Sequence, residues 1–185
     1  MNIYEKASAE NTAPTLKIAF DKANELKTDV ILASSTGASA FAALEAAKAV
    51  NFTGRIVAVT SVWGMSGPGQ NPLSDENRRK LEDAGVCVVT AGHVLSGAER
   101  SISNKFKGAY PVEIIAHTLR MLGEGIKVCV EIGAMAMDAG KAEYQRPVII
   151  IGGTGRGCDT ACVMTPSYSA KIFETQIHEI LCKTY

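Results

Sequence analysis

Four hydroxyl side chains and one glycine crowd into Ser34-Ser35-Thr36-Gly37-Ala38-Ser39. Small hydrogen-bond donors around a glycine that lets the backbone turn tightly and approach an anion suit a phosphate group. If a helix begins at this loop, its first backbone N–H groups and the positive end of its dipole address the same point. Capping of that helix by Ser or Thr explains the same residues without a ligand, and spacing alone leaves both readings open. No lysine stands where G-x-x-x-x-G-K-[ST] requires one, which excludes a P-loop nucleotidase. Nor does G-x-G-x-x-G follow the first strand, with an acid about 20 residues on, so a simple dinucleotide site is not expected.

A second candidate lies in Gly152-Gly153-Thr154-Gly155-Arg156-Gly157-Cys158-Asp159-Thr160. Backbone at Gly153, Gly155 and Gly157 could come close to a flat ring or an anion. Arg156 could make a bidentate phosphate contact, and Asp159 could accept from a ribityl or sugar hydroxyl or a ring N–H, with Thr154 and Thr160 beside them. A solvated arginine on a glycine-rich surface loop is the competing explanation.

Titratable groups gather in His93-Val-Leu-Ser96-Gly-Ala-Glu99-Arg100. His93 could serve as a general acid or base, or simply be a hydrogen-bonded residue at a strand end. Pairing of Glu99 with Arg100 is the competing explanation for those two charges. Thr60, at the end of a strand, and Ser96, in the loop after one, join the candidates as hydroxyls. Trp63, the only tryptophan, sits in a Gly- and Pro-rich segment that reads as a flap, where it could stack on a ligand or anchor packing. Glu131 and His178 read as structural, and no nucleophile, base and orienting acid can be assembled. Cys158-x-x-x-Cys162 is neither C-x-x-C nor backed by a second Cys/His pair, so no metal or redox site is expected. On a strand, these two thiols would share one face.

The elements that must position these residues alternate. Thr12 and Pro14 open a helix with Leu16, Ala19, Phe20, Ala23 and Leu26 on one stripe. Asp29 to Ser34 is an apolar run of the kind buried on both faces of a parallel sheet, as are Arg55 to Thr60 and Val86 to Thr90. Helices fall between them, from Ala38 to about Val50 and from a Ser74 cap to Gly85. Pro111 to Leu122 has helical period, and Lys127 to Ile132 is ambiguous but favours helix because Met135, Met137 and Asp138 follow without β-branched residues. Pro147 to Ile151 is a plain strand and Ala161 to Thr165 a further one; Phe173 to Cys182 could be helix or edge strand. This pattern predicts one α/β domain over residues 1–185, three layers in α/β/α order around a mostly parallel sheet, with ligands beyond the carboxyl ends of the strands.

Composition bounds the partner. The 19 basic and 19 acidic residues cancel, so no global field recruits nucleic acid or an anionic membrane, and a small molecule held by local groups is expected. The amino terminus has no apolar signal core and no run spans a bilayer. Five scattered cysteines fit a reducing compartment, so the expected location is cytoplasmic.

Val30-Ile-Leu-Ala-Ser-Ser-Thr-Gly-Ala-Ser-Ala40, with Arg55-Ile-Val-Ala-Val-Thr60 after the next helix, resembles the C-terminal α/β domain of pyruvate kinase. In that domain a hydroxyl-rich loop holds a phosphate of the sugar bisphosphate effector, which implies phosphate contacts for Ser34, Ser35, Thr36, Gly37 and Ser39. His93 to Ser103, Lys127 to Ile132, Met135 to Gly140 and Gly155 to Ala161 resemble a family of free-standing archaeal and bacterial proteins similar to that domain and associated with FMN. The resemblance covers nearly the whole chain and implies FMN as cofactor, its phosphate at Ser34 to Ser39. The catalytic barrel of the kinase has no counterpart in 185 residues, so kinase activity is not expected. The leading expectation is a flavin-binding domain, with a flavin-linked enzyme of unknown substrate as its fullest form. A non-catalytic sensor of a sugar phosphate or nucleotide is the alternative and a structural subunit the third; homo-oligomer formation is expected by analogy alone.

Overall fold

Residues 1–185 are described by a computed structural model, in which the chain begins with Asn2–Tyr4 (β1), Thr12–Leu26 (α1), Val30–Ala33 (β2) and Ala38–Ala49 (α2). Ile56–Thr60 (β3), Asp75–Asp83 (α3), Cys87–Thr90 (β4), Gly97–Phe106 (α4) and Pro111–Arg120 (α5) follow. Glu124–Asp138 (α6), Val148–Gly152 (β5), Thr160–Thr165 (β6) and Gln176–Thr184 (β7) complete it.

The seven strands form one sheet in the order β1-β7-β6-β5-β2-β3-β4. Every neighbouring pair is parallel except β5 with β6 and β6 with β7, so β6 alone runs against the rest. Successive strand residues divide between the two faces. Val30, Leu32, Ile149 and Ile151 pack with Leu16, Phe20 and Ala23 of α1 and Ala40, Ala43 and Ala47 of α2. Ile31, Val57, Val59 and Ile150 pack on the other side with Ala116 of α5 and Cys129, Val130, Ile132, Met135 and Ala136 of α6. The result is the three-layer α/β/α arrangement with a mostly parallel sheet.

Because both faces are covered, the strands read as continuous apolar runs, and β3 and β5 are buried at every position. α6 is buried almost all round, wedged between the sheet and α5, which is why its sequence lacks a clean amphipathic stripe. At the amino ends of β2 and β3, Asp29 accepts from the backbone N–H of Arg55 at 2.9 Å and from its guanidinium at 2.6 and 2.9 Å, pinning the edge opposite the site.

Some segments differ from expectation. β1 is a three-residue strand, too short to carry a pattern. It pairs in parallel with β7, Asn2 opposite Cys182, so the segment around Phe173 to Cys182 becomes an interior strand after a short 3-10 stretch at Ser169–Glu174. α4 buries none of its residues. Cys158 and Cys162 do not share a face: β6 begins only at Thr160, after a turn with Gly157 at φ 73°, so Cys158 packs in the α1/α2 layer and Cys162 in the α6 layer. No helix is long and apolar enough to cross a membrane.

Candidate functional site

β2 has β3 on one side and β5 on the other; the chain leaves β2 toward β3 and β4 and returns to β5 across it. Crossovers diverge at such a point and open a crevice beyond the carboxyl ends of the strands. A cleft of about 630 Å³ lies there, lined from β2 by Ala33 to Thr36, from β3 by Val59, Thr60 and Ser61, and from the loop after β5 by Gly153, Gly155, Arg156 and Gly157.

The first loop is built around Gly37, whose φ of 94° precedes α2. A side chain there would be strained by that backbone and would press on Leu73 Cδ1, 3.0 Å from an ideal Cβ. Ser34 is buried, and its Oγ accepts the Ala40 N–H at 3.1 Å, which caps α2. Beyond it, the backbone N–H groups of Ser35, Thr36, Gly37, Ala38 and Ser39 meet no acceptor in the protein. Ser35 and Thr36 are exposed and line the cleft with half-buried Ser39, whose hydroxyl also meets the Cys158 thiol. The Ser61 hydroxyl donates to Ser35 Oγ at 2.9 Å, and Asn71 Nδ2 holds the Ser61 carbonyl at 2.8 Å, tying the β3–α3 connection to this loop.

The opposite wall is the glycine-rich loop between β5 and β6. Asp159 is fully buried; its carboxylate accepts the Thr154 N–H at 2.9 Å and the Thr160 hydroxyl at 2.7 Å. Asp159, Thr154 and Thr160 therefore shape the loop from behind, and none of the three lines the cleft. The Cys158 N–H donates to Thr12 Oγ1 at 3.1 Å, clamping the loop to the start of α1. Close approach explains two glycines: a Cβ on Gly157 would collide with Thr12 Oγ1, and one on Gly153 with the Gly157 carbonyl. The N–H groups of Gly153, Gly155 and Gly157 are without protein acceptors, and Arg156 makes no ion pair. Burial pushes the Cys158 thiol up to about 11, with the neighbouring Ser39 hydroxyl acting in the opposite sense.

His93 lies on the cleft wall beyond β4, whereas Ser96 does not line it and receives a 2.6 Å hydrogen bond from Arg100 Nε. Glu99 does not pair with Arg100. Its oxygens accept the Val112 and Glu113 N–H groups at 3.1 and 2.9 Å, capping α5 from a distance. Thr60 is buried and shares a 2.6 Å hydroxyl contact with Thr90, which also accepts from Arg78 at 2.6 Å. Trp63 is 53% exposed and outside the cleft lining, so it is no packing anchor. His178 meets the Thr165 hydroxyl at 2.8 Å between β6 and β7.

Several cleft residues escaped the sequence reading. Thr12, Ser61 and Lys127 line the cleft, as does Glu131, which had been assigned to structure alone. The signal for Lys127 and Glu131 was two charges four residues apart in an otherwise apolar run, the spacing that puts both on one helix face. Val128, Ile132 and Met135 of the same helix give that wall its apolar surface.

A comparison of the sequence with family models assigns this fold to a known family. The model of the pyruvate kinase alpha/beta domain fits residues 14–164, from the first turn of α1 to the last residues of β6. With well over half of its length so matched, the chain belongs to the pyruvate kinase alpha/beta domain family.

Proposed function

We propose that this chain is an FMN-binding domain whose cleft holds the cofactor phosphate at the amino end of α2. The observation that carries this reading is the run of five backbone N–H groups, Ser35 to Ser39, that lack any protein acceptor at the start of a helix facing the cleft. Successive free amides at the positive end of a helix favour an anion. The hydroxyls of Ser35, Thr36 and Ser39 add donors, and Arg156 across the cleft is an unpaired cation.

The remainder of the cleft fits the rest of such a ligand. Its volume lies within the roughly 300–1,000 Å³ usual for cofactor sites. Val59, Val128, Ile132 and Met135 supply apolar surface for a flat ring, and the amides of Gly153, Gly155 and Gly157 supply donors for ribityl oxygens. FMN contributes hydride and electron transfer when bound; the chain binds, orients and partly shields it. His93 is the imidazole on the wall, placed to move a proton for a flavin-linked reaction.

Absorbance of the purified protein in the flavin bands, followed by titration with FMN and riboflavin, tests the proposal. FMN is expected to bind more tightly than riboflavin by at least about tenfold, the value of even one hydrogen bond to a charged group. Equal affinity would remove the phosphate role of Ser35 to Ser39. Thermal protection by a phosphosugar but not by FMN would instead favour a sugar-phosphate sensor.

A further inference from the structure

Lys127 and Glu131 are the charged side chains buried in α6, whose other buried positions are apolar or glycine. Their side chains are 9% and 5% exposed, with Nζ 2.5 Å from Oε2. The other carboxylate oxygen accepts the Leu95 N–H at 3.0 Å. Both residues line the cleft. Well-packed apolar residues in place of a buried ion pair are often neutral or stabilising, so packing does not account for this one. An ammonium has three donors, and Glu131 takes one; no other protein acceptor meets Lys127 Nζ. Glu131, held at both oxygens, keeps that ammonium at a set place on the wall formed by α6.

We propose that Lys127 reads the end of the ligand remote from its phosphate, donating to an electron-rich carbonyl or imide edge, and that Glu131 is its positioning residue. The inference rests on the FMN reading and extends it. The cleft then recognises two features at once: a phosphate at the start of α2, and a polar ring edge at α6. With a flavin, the acceptor is the pyrimidine edge, where a positive charge favours the electron-rich reduced ring.

The test uses the double variant Lys127→Met/Glu131→Leu, which removes the pair together and leaves no buried charge alone. Affinities for FMN and riboflavin are both expected to fall by the same factor, about tenfold, because the lost contact is to the shared ring. Thermal protection by inorganic phosphate stays unchanged, and the midpoint potential of bound FMN moves to a more negative value. Unchanged flavin affinity and potential in the variant, with FMN bound by the wild type, overturn the role of Lys127 and leave the FMN reading standing. A wild-type protein that binds neither flavin overturns both. If the double variant does not fold, the wild type decides: a bound FMN no easier to reduce than free FMN overturns the inference.

Discussion

Ser34 Oγ accepts the backbone N–H of Ala40 at 3.1 Å, and both residues are buried. Helix capping therefore accounts for Ser34 and leaves Ser35, Thr36 and Ser39 without that role. Ser34 serves the fold, while Ser35, Thr36 and Ser39 line the cleft without capping the helix.

Ser34→Ala is expected to lower stability by about 1 kcal/mol through the lost cap. Thr36→Val, at an exposed position, should leave stability within about 0.5 kcal/mol of wild type. It should nevertheless weaken FMN about tenfold and leave riboflavin unaffected, as expected for a lost hydrogen bond to a charged group. Urea unfolding and paired flavin titrations separate the two outcomes. A Thr36→Val protein that binds FMN as well as wild type would count against the assignment.

Arg156 is exposed on the cleft rim and forms no ion pair. Arg156→Gln should reduce FMN affinity and also flatten its dependence on ionic strength, since an exposed charge acts through a screened field. Titrations at low and high salt measure this. An unchanged salt dependence would show that the guanidinium does not address the phosphate.

Gly157→Ala should destabilise by about 1–3 kcal/mol. Its φ is 73°, and the added methyl would run into Thr12 Oγ1. Because Thr12 also anchors the Cys158 N–H, the loop should loosen and flavin binding weaken in the same variant. Denaturant unfolding combined with amide exchange across residues 153–159 checks both effects.

Burial raises the thiols of Cys129, Cys158 and Cys182, the second to about 11. For Cys158 the folded value lies above the unfolded one, so the stability it carries is complete below about pH 9 and is lost as pH rises toward 11. Cys158 should subtract about 1.4 kcal/mol per pH unit across that window. At pH 8 an aromatic disulfide reagent should modify only half-buried Cys87 in the native protein and all five cysteines in denaturant. Native modification of more than one thiol would contradict the packing.

What could be read from the residues follows from burial. β2, β3 and β5 are apolar runs bounded by turn residues because both of their faces are covered, and the hydroxyl loop stood out because it interrupts such a run. α4 was missed for the opposite reason: it buries no residue, and its apolar Ile102 and Phe106 stay exposed in a mostly polar segment. β7 could not be told from a helix because its neighbour β1 lies at the far end of the chain. Asp159 was legible as chemistry but not as support, since its partners Thr154 and Thr160 are set by the tight turn between them. Lys127 was hidden by its own helix: an ambiguous apolar run gave no sign of which face would open on the cleft.

The reversal of β6 sets an order of events in folding. Parallel neighbours need long crossovers before they can pair, whereas β5 and β6 meet through the glycine-rich turn alone, Ile150 opposite Cys162. Closing a short loop is the smaller entropic demand, so this hairpin should form early and template the rest of the sheet. Ile150→Val is then expected to slow refolding, while Val57→Ala mainly speeds unfolding, a contrast that stopped-flow kinetics in denaturant would reveal. One wall of the cleft would thus be in place before β2 and β3 are joined, and the glycine-rich turn would double as the point from which the chain condenses.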